Sequence, residues 1–180
     1  MKELVSIVIR GKNEEDWLGL CLRSLREQTY KKYEIIYVDN ESSDASVDIA
    51  NYYQVDEIKK IKNFLPGRAI NLGVEASSGE YIVILSAHCI PAGKNWLSQL
   101  VKSIKPDKIA GVYGRQLPLP STSPDDARDL LITFGDEDRI QIKDPFFHNA
   151  NSILFQSLLL FQNSSITEMG SCDRVSSVEF

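Results

Sequence analysis

The sequence predicts an α/β fold: a mostly parallel sheet flanked by helices on both faces. Three observations predict it. Short β-branched or apolar runs alternate with stretches whose apolar residues recur at helical spacing. The run Tyr81 to Leu85 carries no polar residue at alternate positions, the composition of a strand buried on both faces. Each major run then stops at an abruptly polar turn, after Ile9, Val38 and Leu85. In parallel βαβ units those turns gather on one edge of the sheet, where open α/β sheets bind their ligands.

Leu4 to Ile9 is the first strand, ended by Arg10-Gly11-Lys12-Asn13. Asn13 is placed to cap the next helix, and Glu14, Glu15 and Asp16 fill its first turn, where the helix dipole favours acids. Trp17, Leu18, Cys21, Leu22 and Leu25 form that helix's apolar stripe. Tyr33 to Val38 is the second strand, and Ser42 or Ser43 is placed to cap a helix containing Val47, Ala50 and Tyr53. Ile58 to Ile61 is a weaker strand whose lysines suit a solvated edge. Pro66 to Ala76 is a third helix, with Pro in its opening turn and Gly79 beyond its end. After the Tyr81 strand come a fourth helix carrying Trp96, Leu97, Leu100, Val101 and Ile104, a fifth strand from Ile109 to Gln116, and a Pro/Ser-rich loop from Pro118 to Pro124.

Composition narrows the function. With 180 residues, 43% hydrophobic and 25% charged, the chain can bury the core of one domain. A formal charge of -5 argues against a nucleic-acid partner, which needs a clustered basic face. No apolar run approaches the ~20 residues that cross a bilayer, so the expected location is the cytoplasm. Three cysteines without C-x-x-C spacing favour neither a disulfide framework nor a structural zinc site. Cys21 reads as core, and Cys89 as a packed residue close to the polar turn.

Ser86 and His88, separated by Ala87, end the central strand with side chains able to point the same way. Together with Asn13, Glu14 and Asp39 they define the floor of a cleft.

Four ordered motifs then carry a resemblance: Asn13-Glu14, Val38-Asp39-Asn40-Glu41-Ser42-Ser43-Asp44, Arg68 with Asn71-Leu72-Gly73, and Leu85-Ser86-Ala87-His88. Over residues 4 to 152 the chain resembles the nucleotide-binding half of the family 2 inverting glycosyltransferases, which have the GT-A fold. The resemblance implies transfer of a sugar, with inversion, from a nucleotide diphosphate-sugar to a glycan or lipid-linked acceptor. That is the chemistry of polysaccharide and cell-envelope synthesis, and it adds peripheral association with the inner face of the membrane wherever the acceptor is membrane-bound. By position, Asp39 would meet the base, Asn13 and Glu14 would lie along base and ribose, and Arg68 would meet the diphosphate as a fork of donors. Asn71, Ser86 and Ala87 complete the expected nucleotide site. Asn149 and Asn151 fall in the segment that resembles the family's donor and acceptor pocket. No assembly state is implied.

The chain departs from the family in two places. Where the family has Asp-x-Asp, whose last Asp binds a divalent metal, this sequence has Ser86-Ala87-His88. The expected cofactor is Mn²⁺ or Mg²⁺, with His88 as ligand; imidazole suits Mn²⁺ better than Mg²⁺. The other reading is a protonated His88 facing the diphosphate directly. The family's acidic catalytic base is not found in the second place, beyond Ser152. Residues 1–152 are therefore expected to form the nucleotide-sugar-binding domain, and 153–180 an incomplete or divergent acceptor-side tail outside the stable core. A nucleotide-sugar-binding protein impaired in catalysis is the alternative function.

Overall fold

The computed structural model describes residues 3–104, 109–119, 122–135, 137–142, 147–160 and 175–178. Three strands expected from the sequence form its centre: β1 (Val5–Gly11), β2 (Tyr33–Asp39) and β4 (Tyr81–Ser86), with β3 (Glu57–Lys60) at the edge. All four run parallel, β1 lying between β2 and β4. Residue alternation sends Ile7, Ile9, Tyr37, Val83 and Leu85 into one cluster and Val8, Ile36, Val38, Ile82 and Ile84 into another. The sheet is thus apolar on both faces, and helices must cover both.

They do. On the first face lie α1 (Glu15–Arg26), through Leu18, Cys21, Leu22 and Leu25, and α4 (Trp96–Ser103), through Trp96, Leu97 and Leu100. The opposite face is covered by α3 (Pro66–Glu75), through Ala69, Ile70 and Val74. The short α2 (Ser46–Tyr52) packs beside α1. Cys21 is core, as expected, and burial pushes its thiol far above the ordinary range.

Beyond β4 the expectations need correction. The fifth strand shortens to β5 (Gly111–Gly114), and the Pro/Ser-rich loop gives way to α5 (Pro124–Thr133). The Ser123 hydroxyl caps α5 by accepting from the Asp126 N–H, with Pro124 at the first helical position. The strands β6 (Arg139–Gln141), β7 (Asn151–Phe155) and β8 (Val175–Val178) complete an eight-stranded mixed sheet of order β3-β2-β1-β4-β7-β5-β8-β6, and α6 (Gln156–Leu160) follows β7. The domain boundary expected after Ser152 falls inside β7. Ile153 and Leu154 are fully buried, and β7 pairs antiparallel with both β4 and β5, so the start of the supposed tail is core. Glu168, Cys172 and Asp173 lie outside the described residues.

At the amino end of the strands, the Glu34 carboxylate accepts from the Ser6 hydroxyl and from the Ser78 N–H and hydroxyl, while the Gly79 N–H donates to Ser6 Oγ. Burial alone would raise the Glu34 pKa, but the bonds from Ser6 and Ser78 outweigh it and hold the carboxyl below its ordinary value. A carboxylate so depressed stabilises the fold above its unfolded pKa and ceases to as pH falls through the folded one. Glu34→Gln is therefore expected to cost about 1 kcal/mol at pH 7. In urea titrations the gap between parent and variant should close as pH drops below the ordinary 4.5; a gap independent of pH would contradict this role.

Candidate active site

The carboxyl ends of β1, β2 and β4 meet on one edge, and the register fixes who neighbours whom: Gly11 pairs with Asp39, and Arg10 with Ser86. At Gly11 a Cβ would lie 2.9 Å from the Ala87 Cβ and 3.1 Å from both Glu14 and the Tyr37 hydroxyl. The absent side chain lets the three turns close together.

The turns after β1 and β2 are joined by reciprocal hydrogen bonds. On one side the N–H groups of Asn13, Glu14 and Glu15 donate to Ser42 Oγ (2.9 Å), Ser46 Oγ (2.7 Å) and Asp44 Oδ2 (2.9 Å). On the other, the N–H groups of Ser43 and Ala45 donate to Asn13 Oδ1 and Glu15 Oε2, each at 2.9 Å. The capping expectations are corrected accordingly. The cap positions are Glu14 and Ala45, not Asn13 and Ser42 or Ser43, and neither caps its own helix with a side chain. The α1 start is satisfied by the other turn, whereas at α2 Glu15 takes the Ala45 N–H and Asp44 Oδ1 accepts locally from the Ser46 N–H. Asn13, left-handed at φ 55°, has its amide oxygen engaged in this lock.

Asp39 is 1% exposed. Its Oδ2 accepts from the Ser42 N–H at 3.2 Å, whereas Oδ1 is buried with no partner among the described residues. The buried Tyr37 hydroxyl is pushed above its ordinary pKa by desolvation and then by the Asp39 charge. Ser86 and Ala87 are buried and His88 is exposed. The His88 Nδ1 lies 3.0 Å from Glu14 Oε1, a pairing of two predicted site residues that orients a largely exposed ring.

Arg68 stands exposed in the first turn of α3, with Asn71 half-buried one turn on. Asn149 and Asn151 are both held by the protein itself. Asn149 Oδ1 accepts from Arg10 Nη2 at 2.9 Å, and Asn151 Oδ1 accepts from the Trp96 indole N–H at 3.0 Å. Cys89 is packed, as expected: burial pushes its thiol up to about 11, too high for a reactive thiolate at neutral pH. A cavity of about 310 Å³ opens beside His88, lined by Leu85, Trp96, Leu117, Leu119, Leu130 and Arg115 among others.

Sequence reasoning missed Arg10, which it read as part of a turn. A cation directly after five buried strand residues was the available signal. Among the described residues no three His, Cys, Asp or Glu side chains converge as metal ligands. None of the helices there is long and apolar enough to cross a membrane.

Comparison with known proteins agrees with the fold. Over 152 residues the chain is 34% identical to the poly(ribitol-phosphate) beta-glucosyltransferase of Bacillus spizizenii, covering 72% of this chain and 23% of that protein. It is 35% identical over 107 residues to the glycosyltransferase AglE of Haloferax volcanii, covering 56% and 35%. The chain thus spans about a third or less of these relatives' lengths. Among solved structures, S. aureus TarS 1-349 in complex with UDP-GlcNAc superposes with a TM-score of 0.74 at 16% identity, over 99% of this chain and 56% of that one. The mannosyltransferase PcManGT of Pyrobaculum calidifontis, in complex with GDP-Man and Mn²⁺, gives 0.70 at 19%, over 96% and 50%. These likenesses identify the sheet and its helices as the GT-A fold. The family model for "Glycosyl transferase family 2" matches residues 6–161, taking in every strand end of the cleft and β7 besides, and the chain belongs to that family.

Proposed function

We propose that this cleft binds a nucleotide diphosphate-sugar and that the protein transfers its sugar, with inversion, to a glycan or lipid-linked acceptor. The observation that carries the reading is Asp39: a buried carboxylate at the sheet's ligand edge, one oxygen unpaired, beside two turns locked to each other. Uracil and guanine both present ring N–H donors, and a carboxylate is the matching acceptor.

In this reading Asn13 and Glu14 flank base and ribose, and Ser86, Ala87 and His88 lie under the diphosphate. Arg68 and Asn71 approach from the start of α3. The acceptor enters from the side of Asn149, Asn151 and the cavity beside His88. Its hydroxyl attacks the anomeric carbon, the bond to the diphosphate oxygen breaks, and the hydroxyl proton passes to a base. The donor set at the edge, one imidazole already paired to one carboxylate with a serine beneath, does not fit the oxygen-rich octahedron that Mg²⁺ requires.

A second reading has one observation behind it: among the described residues beyond Ser152 none is Asp or Glu, and α6 follows β7 to the amino end of β4, away from the cleft. It is a nucleotide-sugar-binding protein impaired in transfer. Work at the inner face of the membrane, in cell-envelope polymer synthesis, accords with the relative named for poly(ribitol-phosphate).

The test is a thermal-shift panel of UDP-, GDP- and dTDP-sugars, since a ligand of the native state raises stability by mass action. At a hundred times its Kd the preferred donor should contribute about 2.7 kcal/mol. No shift with any donor rejects the site. A shift without product, on an acceptor panel that includes ribitol-phosphate polymer, selects the second reading.

A further inference from the structure

The sheet edge at which a divalent cation would sit beside a diphosphate carries a positive charge of the protein's own. Arg10 is the penultimate residue of β1, on the strand end that neighbours the Ser86–His88 turn. It is the register partner of Ser86, and its carbonyl accepts the Ala87 N–H at 3.1 Å. Its guanidinium is half-buried and turned toward the loop before β7, where Nη2 donates to Asn149 Oδ1 (2.9 Å) and to the Asn149 carbonyl (3.4 Å).

Two facts set this arginine apart. Among the described residues no carboxylate pairs with it, and Nε is buried with no acceptor at all. Desolvation pulls its pKa down from the ordinary value, but an arginine stays charged across the physiological range. A desolvated, unneutralised cation with an unused buried donor is a costly feature that an anionic ligand would relieve. The same charge repels a second cation. Around it stand a serine, an alanine and an imidazole whose Nδ1 is taken by Glu14, and no three ligating side chains converge.

We propose that Arg10 binds the donor's diphosphate as the fixed positive charge of this site, and that nucleotide binding by this protein needs no divalent metal. The proposal rests on the reading of the Ser86–His88 edge as a diphosphate site. A guanidinium presents parallel N–H donors that fit two phosphate oxygens at once, which a hydrated cation held by one imidazole does not match. On bond cleavage the negative charge accumulates on the departing diphosphate, where Arg10 already stands. As imidazolium, with Nδ1–H given to Glu14, His88 adds a second donor through Nε2.

Binding measurements separate the possibilities without any need for turnover. UDP, GDP and uridine are titrated calorimetrically into the parent, Arg10→Gln and Arg10→Lys, each with Mn²⁺ and with EDTA. The parent should bind its nucleotide diphosphate equally well, within about twofold, in both conditions. Arg10→Gln should weaken that binding by about tenfold or more, the scale of a lost charge-assisted pair, while uridine, which has no phosphate, should change by less than about twofold. Arg10→Lys, keeping the charge without the fork, should fall between and shows whether the site survives substitution. Binding abolished by EDTA and restored by Mn²⁺ overturns the proposal. So does an Arg10→Gln variant that loses diphosphate and uridine equally, for then Arg10 only holds Asn149 in place. If the parent binds none of the three ligands in either condition, the nucleotide-site reading itself fails and this inference with it.

Discussion

Asp39→Ala is expected to weaken binding of the preferred nucleotide by about tenfold or more, the equivalent of a charge-assisted hydrogen bond of about 1.5–3 kcal/mol. The ligand-free protein should behave in the opposite way. Asp39 is a buried carboxylate whose Oδ1 has no partner and whose Oδ2 has one 3.2 Å bond from Ser42. Removing it abolishes an uncompensated desolvation cost, so the variant's unliganded melting temperature should hold or rise. That divergence distinguishes a ligand-binding carboxylate from a structural one. Calorimetry showing unchanged affinity removes Asp39 from the site, and a melting temperature that falls in step with affinity makes it part of the scaffold.

Gly73→Ala should damage the seating of α3 on the sheet. Although α3 would gain roughly 0.8–1.0 kcal/mol of helix propensity from the exchange, the new Cβ would stand 2.2 Å from Val8 Cγ1, 3.1 Å from Val8 Cγ2 and 3.2 Å from Val38 Cγ2. Both Val8 methyls face the helix and Val8 is fully buried, so either its side chain turns within a packed core or α3 lifts from the sheet. Overpacking of this kind costs about 1–3 kcal/mol, so the net effect is destabilising. A lifted helix carries Arg68 and Asn71 with it, so donor affinity should then fall as well. Chemical denaturation measures the first effect, and the double variant with Val8→Ala should recover most of it. A Gly73→Ala protein as stable as the parent would mean that helix and sheet are less closely seated than described.

The central strands and their helices were legible because each is announced by its own residues. Tyr81 to Leu85 states its burial by having no polar alternate, and the α1 stripe states its period. What escaped depends on partners far along the chain. Asn151 to Phe155 lacks period-two alternation because it is buried on both faces between β4 and β5, and nothing local says that those strands leave a gap for it. Helix α5 did announce itself, through Ser123, Pro124 and two aspartates, but the prolines before it read as loop. The cleft shows the same division. Asp39, Glu14, Ser86 and His88 were found from their places at strand ends, and the structure brings Glu14 against His88. Arg10 was overlooked because a basic residue at the head of a turn looks solvated until its burial beside Asn149 is seen. Asn151, which fell in a segment resembling a sugar pocket, spends its carbonyl on Trp96.

The exchange of caps between the turns after β1 and β2 bears on the order in which this protein folds. The groups that satisfy the first turn of α1 lie about thirty residues downstream, in a turn that itself depends on Asn13 and Glu15. Helix α1 cannot complete its opening turn as a local event, since nucleating that turn is the unfavourable step and its acceptors are absent until β2 has docked beside β1, whereas α2 keeps a local acceptor in Asp44. The loop-closure cost of bringing the strands together is met first, and the α1 start then forms. Mutations in the Ser42–Ser46 turn should therefore slow the structuring of α1, a helix they do not belong to.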